Sequence, residues 1–321
     1  MDATTATPPV QLHQDHRIGS ASQAKRGSAL IRYDHCNKYD MHRRPIGISR
    51  LARWIRSAGE RLSLPLDAMK GTSFCCGTGL NEAELLKQLE SNGERLGHLL
   101  CADASNGMLE FAPPKLEPFK SGWDTRQLDV VRDEFKFENP LDFAMCVQAT
   151  QHLDRRGDHS NVRIFFRKVR NALVSGGSFF VIISTPDQVR HPHWFINVMS
   201  GRPGIAKDED PGEHFALEHT DLSVMAGLLE ESGFAMRKHR VLPGPHFKEE
   251  SYFGDPRIAQ DDEFRHASSF FWIAKERGLI SKYDQVLADL IESGEIDAHR
   301  EACERQRLYL GVSCLIEAVA T

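Results

Sequence analysis

Ser73-Phe74-Cys75-Cys76-Gly77-Thr78-Gly79-Leu80 stands between an apolar lead-in and the start of a helical pattern. The lead-in, Leu64 to Met69, is apolar apart from Asp67, and the helical pattern begins at Asn81. That order predicts a strand, a tight glycine turn and a helix. Glycines 77 and 79 tolerate φ > 0 and let a backbone approach a ligand that a side chain would block. Ordinary structural turns use the same residues, so the weight falls on the residues spaced at a fixed distance downstream.

Asp103 lies 24 residues beyond Gly79, at the end of the apolar run His98-Leu-Leu-Cys-Ala102. An acidic residue at the tip of the second strand of a doubly wound sheet sits where a ribose presents its two hydroxyls. An aspartate also serves as a helix N-cap. Together with Gly77 and Gly79 the ribose reading is the better one. Strand-like and helix-like patterns then alternate as far as Pro186, as successive βαβ units require.

These segments, from about residue 71 to 186, resemble the class I S-adenosylmethionine-dependent methyltransferases, in their single-domain, small-molecule group. Gly77-Thr-Gly79 is similar to the first motif of that family, and Ala102-Asp-Ala-Ser-Asn-Gly-Met-Leu-Glu110 to the second. Leu128-Asp-Val130 resembles the segment facing the adenine amino group, and Leu141 to Leu153 the fourth strand and its loop. Val169 to Val181 resembles the helix, paired-glycine turn and fifth strand. Two positions depart from the pattern: Ser73 stands where the family usually has an acid, and Cys75 where it has a first glycine.

The resemblance implies an α/β fold: a doubly wound, mostly parallel, Rossmann-like seven-stranded sheet with an antiparallel last strand and a helical cap insertion. It implies S-adenosylmethionine as cofactor, S-adenosylhomocysteine as product, and methyl transfer to an oxygen, nitrogen or sulfur atom. Cofactor contacts are implied at Tyr39, Arg44, Ser73, Cys75, Gly77, Gly79, Asp103, Ala104, Met108, Asp129, Val130 and Val147. His152, after the fourth strand, is the candidate general base, since an imidazole with a pKa near ~6.5 suits proton removal at neutral pH. Arg43, His191, His193 and Trp194 are the candidate substrate contacts. Arg43 and Arg44 suit either the cofactor carboxylate or an anionic substrate. No HExxH or Cys/His ligand spacing occurs, and no metal is expected.

Composition is that of an ordinary globular protein of 321 residues, with 26% charged and 40% hydrophobic residues. A net charge of −5 argues against a broad nucleic-acid surface. Seven cysteines without a paired framework fit a reducing, cytoplasmic location. No apolar run reaches the ~18 residues of a membrane span.

The expected organisation is a mobile tail over 1–28, a helical lid over 29–64, and a core over 65–242 and 306–321. Substrate-cap insertions are expected over 187–219 and 243–305. Within these, Ile48–Leu62 reads as an amphipathic helix, Phe234–Val241 as the sixth strand and Leu308–Val319 as the closing strand. The apolar insertion could also form a homodimer contact. Two other readings stay open. One is a cofactor-binding but non-catalytic scaffold, motivated by Ser73 and Cys75. The other is a messenger-RNA cap-type methyltransferase, suggested by the N-terminal helix and Thr185-Pro-Asp187.

Overall fold

The computed structural model describes residues 38–154 and 158–321. The expected tail (1–28) and the first part of the lid (29–37) lie outside the described residues. Among the described residues there are seven strands: β1 Lys70–Phe74, β2 His98–Asp103, β3 Gly122–Gln127, β4 Leu141–Val147, β5 Leu173–Ile183, β6 Phe234–Leu242 and β7 Ser313–Ala320. They form one sheet in the order β3-β2-β1-β4-β5-β7-β6. β7 runs antiparallel to β5 and β6, and the pairings from β3 across to β5 are parallel. The expected fold class is the observed one.

Two element boundaries differ from the sequence reading. Leu64 to Met69 is not the strand: it holds a single 3-10 turn, Leu66–Ala68, and β1 follows it. This inner strand contains Thr72 and Ser73, both buried. Flanked by β2 and β4, it takes its burial from position rather than from apolar composition. The closing strand begins at Ser313, because the helix Ile296–Leu310 runs on through Leu308 and Tyr309. Gly311, at φ +70°, ends that helix and lets the chain turn into β7. One apolar run therefore covers two elements.

Helices Ile48–Leu62 and Leu80–Ser91 cover one face of the sheet, packing Leu51, Ile55, Leu85 and Leu89 against Leu99, Phe143 and Met145. Helices Ser160–Ala172 and Leu222–Glu231 cover the other, packing Phe165, Phe166 and Leu228 against Phe74 and Phe179. Gly71 makes the first of these layers possible. A methyl group there would overlap the ring of its register partner Phe143, which is fully buried. Gly71→Ala is expected to destabilise the protein by about 2 kcal/mol through overpacking. Chemical denaturation measures this as a lower midpoint at unchanged slope.

A third apolar cluster joins Val189–Ala216 to Phe247–Cys303. Phe195 lies at its centre, with ring centroids 5.1 Å from Phe247 and 5.3 Å from Phe264. Its tryptophan and tyrosines are hydrogen-bonded internally. Trp194 Nε1 donates to the Tyr252 carbonyl at 2.8 Å, and Tyr283 Oη donates to the Phe195 carbonyl at 2.8 Å. The segment 39–47 is stitched to both sides. The Lys248 amide donates to the His42 carbonyl at 2.8 Å and the Arg44 amide to the His246 carbonyl at 3.1 Å. On the glycine-turn side, Thr78 Oγ1 donates to Asp40 at 2.7 Å and the Ile46 amide to Asn81 at 3.0 Å.

Candidate functional site

Strand order reverses between β1 and β4, so the helices leaving these two strands go to opposite faces. A crevice opens at the carboxyl ends of the strands on either side of such a point. A cavity of about 540 Å³ occupies it. Cys75, just past β1, and Gln148, just past β4, both line it and both have left-handed backbones, at φ +55° and +53°. Non-glycine residues reach that region at a cost of roughly 1 kcal/mol or more and concentrate at functional sites. Gln148 is held there through its amide, which donates to Ser313 at 2.9 Å and Ser184 at 3.1 Å.

Asp103 organises the glycine turn from across the sheet. One carboxylate oxygen accepts from the Gly77 amide at 2.8 Å and the other from the Ser105 amide at 2.9 Å. A carboxylate has about four acceptor positions, and the backbone takes two of them. Ser105 in turn caps the short helix Asn106–Leu109, accepting from the Met108 amide and setting Met108 in the cavity wall. Asp129 closes an analogous turn after β3, accepting from the amides of Val131 and Arg132 at 3.0 and 3.1 Å.

Of the residues expected from sequence, Tyr39, Arg43, Arg44, Cys75, Gly77, Asp103, Ala104, Met108, Asp129, Val130, Val147 and His152 line this cavity. The other five lie elsewhere. Gly79 is directed at Ala112, whose Cβ would be 2.8 Å from an added methyl, so its smallness serves helix packing. Ser73 is buried behind the wall, His191 is on the exposed side of its turn, and Trp194 is locked in the cap core. His193 belongs to a second, smaller chamber. The two cysteines of the turn are held in the thiol form. Hydrogen bonding with Cys146 for Cys75 and with Cys101 for Cys76, followed by burial, raises both thiols well above the usual range.

The second chamber is lined by His193, His219 and His246 together with Gln151, Ser268 and Ser269. It shares Tyr39, Arg43, Gln148 and His152 with the first. Burial pushes His193 down to about 3 and His219 down to about 4, and pushes His246 well below the usual imidazole value. All three are therefore neutral at physiological pH. The Arg43 guanidinium lies between the rings of Tyr39 and Phe247, 5.4 and 4.8 Å from their centroids, and supplies the chamber's positive charge. Only His193 of this trio stood among the sequence-based candidates. His219, His246 and the seryl pair come from distant segments, with no local spacing to announce them.

Glu82 was also missed. It sits in the first turn of the helix after the glycines, lines the large cavity and is fully buried. Among the described residues one grouping has metal-ligand character: His42, from the segment 39–47, with Asp261 and Glu263. Glu263 is already paired with Lys38. No helix among the described residues is long and apolar enough to cross a membrane.

No protein-family model matches the chain, and no curated protein matches it. Solved structures do. The N-methyltransferase NodS from Bradyrhizobium japonicum WM9, in complex with S-adenosylhomocysteine, is 12% identical with a TM-score of 0.45, over 68% of this chain and 90% of that one. Magnesium protoporphyrin IX methyltransferase from Synechocystis PCC 6803 is 12% identical with a TM-score of 0.43, over 62% and 77%. The [4+2]-cyclase SpnF is 13% identical with a TM-score of 0.45, over 84% and 80%. At such identities likeness concerns the fold alone, and one fold hosts many chemistries. The strand order and the antiparallel β7 make this chain's fold a doubly wound, mostly parallel Rossmann-like sheet.

Proposed function

We propose that the chain is an S-adenosylmethionine-dependent methyltransferase acting on a small molecule whose reacting end lies where the large cavity meets the histidine-lined chamber. One observation carries the reading. Two chambers meet at Tyr39, Arg43, Gln148 and His152, beside the carboxyl ends of β1 and β4. Methyl transfer needs such a junction, because donor and acceptor must be held in line and out of water.

The donor set suits the cofactor. Asp103 is placed to accept from ribose hydroxyls, Met108 and Val130 to pack on a purine, and the Gly77 backbone to lie against the aminoacyl portion. Arg44 and Tyr39 close the cavity from the lid. When bound, S-adenosylmethionine supplies a methyl group already activated by its sulfonium. What remains for the chain is to hold the acceptor's nucleophilic atom in line and, where that atom must lose a proton, to remove it. His152 at the junction takes that proton. The second chamber, of about 50 Å³, suits a polar or anionic terminal group of the acceptor. Arg43 provides the charge there, and the neutral histidines provide both donors and acceptors. The segments 187–219 and 243–305 then select the acceptor.

Calorimetric titration with S-adenosylhomocysteine tests this first, and micromolar binding is the expected result. Incubation with methyl-labelled S-adenosylmethionine and a panel of small acids, phenols, amines and thiols should then yield a labelled product. Tight binding with no transfer to any acceptor would favour a non-catalytic scaffold. No binding by either ligand would remove the methyltransferase reading.

A further inference from the structure

Glu82 carries a carboxylate that the folded chain only half satisfies. Oε1 accepts from Ser73 Oγ at 2.6 Å, while Oε2 is buried with no hydrogen-bond partner among the described residues. Its neighbours do not complete it. The Lys115 ammonium is engaged by Asp40 at 2.6 Å and by the carbonyls of Thr78 and Phe111, each at 2.9 Å. Asp103 adds a second negative charge nearby, and Cys76 faces Glu82 as a protonated thiol. A buried carboxylate oxygen with nothing to accept from is costly, and chains keep such groups where a ligand completes them.

We propose that Glu82 receives the primary ammonium group of the ligand's aminoacyl portion through Oε2, with Ser73 fixing the carboxylate from behind. This inference rests on the cofactor reading above. The chemistry of the vacant position selects the group. A sulfonium brings charge but no N–H, and a ribose hydroxyl brings a donor without charge. An ammonium brings both, and charge-assisted hydrogen bonds are the strong ones. The position agrees as well, because Glu82 follows Gly77 by one turn and lines the same cavity. Ser73 then has a definite part: it holds a carboxylate that arrives from the helix.

A proton moves with the ligand. Burial raises the Glu82 carboxyl from 4.5 to about 7, so the empty site at neutral pH is a mixture of acid and carboxylate. When the ammonium docks, the O–H bond of the acid form breaks, its electron pair stays on Oε2 and the proton goes to solvent.

The test is calorimetry of the full chain with S-adenosylhomocysteine at pH 6, 7 and 8, in phosphate and in Tris, whose ionisation enthalpies differ. Proton release of about 0.9 per site at pH 6, falling to about 0.1 at pH 8, is expected, with affinity about tenfold weaker at pH 6. The same titrations with 5′-methylthioadenosine, which lacks the aminoacyl group, should release no proton as it binds. Glu82→Gln should bind S-adenosylhomocysteine at least tenfold more weakly at pH 8 and lose the pH dependence. Equal proton release with both ligands, or unchanged affinity and pH profile in Glu82→Gln, would overturn the assignment while leaving the cofactor reading intact. The ligand comparison uses the unaltered chain, so it holds whether or not the variant folds. Failure of the unaltered chain to bind S-adenosylhomocysteine would overturn both.

Discussion

Taking the protein from pH 7 to pH 5 should lower its melting temperature by about 6 °C, and three buried histidines carry the effect. His193, His219 and His246 have folded-state values depressed below the ordinary imidazole value by burial. The unfolded chain therefore binds protons that the folded chain refuses. Stability is fully present above about pH 6.5 and is lost as the pH falls towards the folded values, about 3 for His193 and about 4 for His219. Three such groups together cost about 6 kcal/mol between pH 7 and pH 5. Glu82 works in the opposite direction. Its raised folded value means that it stabilises on protonation as the pH falls from 7 towards 4.5, recovering about 2 kcal/mol. The net loss of about 4 kcal/mol is a large share of a typical folding free energy. Thermal melts from pH 7.5 to 5, followed by tryptophan fluorescence, measure it. His219→Gln should remove about a third of the histidine contribution. A melting temperature that stays level across this range would show that the three imidazoles take up protons in the folded state.

Asp103→Ala should weaken S-adenosylhomocysteine binding by about a thousandfold, the largest effect expected of a single side chain at the cavity. Two losses combine. The ligand loses an acceptor for its ribose hydroxyls, and hydrogen bonds to a charged group contribute about 1.5–3 kcal/mol each. The glycine turn loses the carboxylate that holds the Gly77 amide at 2.8 Å, so the cradle itself relaxes. Asp103→Asn separates the two contributions. An amide oxygen can keep one backbone bond, but the amide nitrogen cannot accept the other, so this variant should bind with an affinity between those of the alanine variant and the unaltered protein. Calorimetry reads both. Near-normal affinity in Asp103→Ala would mean that the ribose is held elsewhere.

The sheet and one wall of the cavity were legible in the chain. Gly77, Asp103, Met108 and Asp129 sit within short segments whose spacing is set by one strand, one turn and one helix. A βαβ unit repeats that spacing wherever it occurs. Element boundaries were misjudged where position outweighed composition. β1 is buried through its place between β2 and β4 even though Thr72 and Ser73 are polar, and Gly311 divides one apolar run into a helix and a strand.

From the amino-acid order alone came the alternation of strands and helices, the glycine turn and the acid facing it, because these depend on local periodicity and on residues close along the chain, while the doubly wound sheet followed from the family resemblance. Only the tertiary structure decided that Glu82 turns its carboxylate onto Ser73, and that His193, His219 and His246 share one chamber with Arg43. Those groups come from segments up to 203 positions apart, Arg43 to His246. Their chemistry rests on burial, and burial belongs to the packed molecule rather than to any stretch of its sequence.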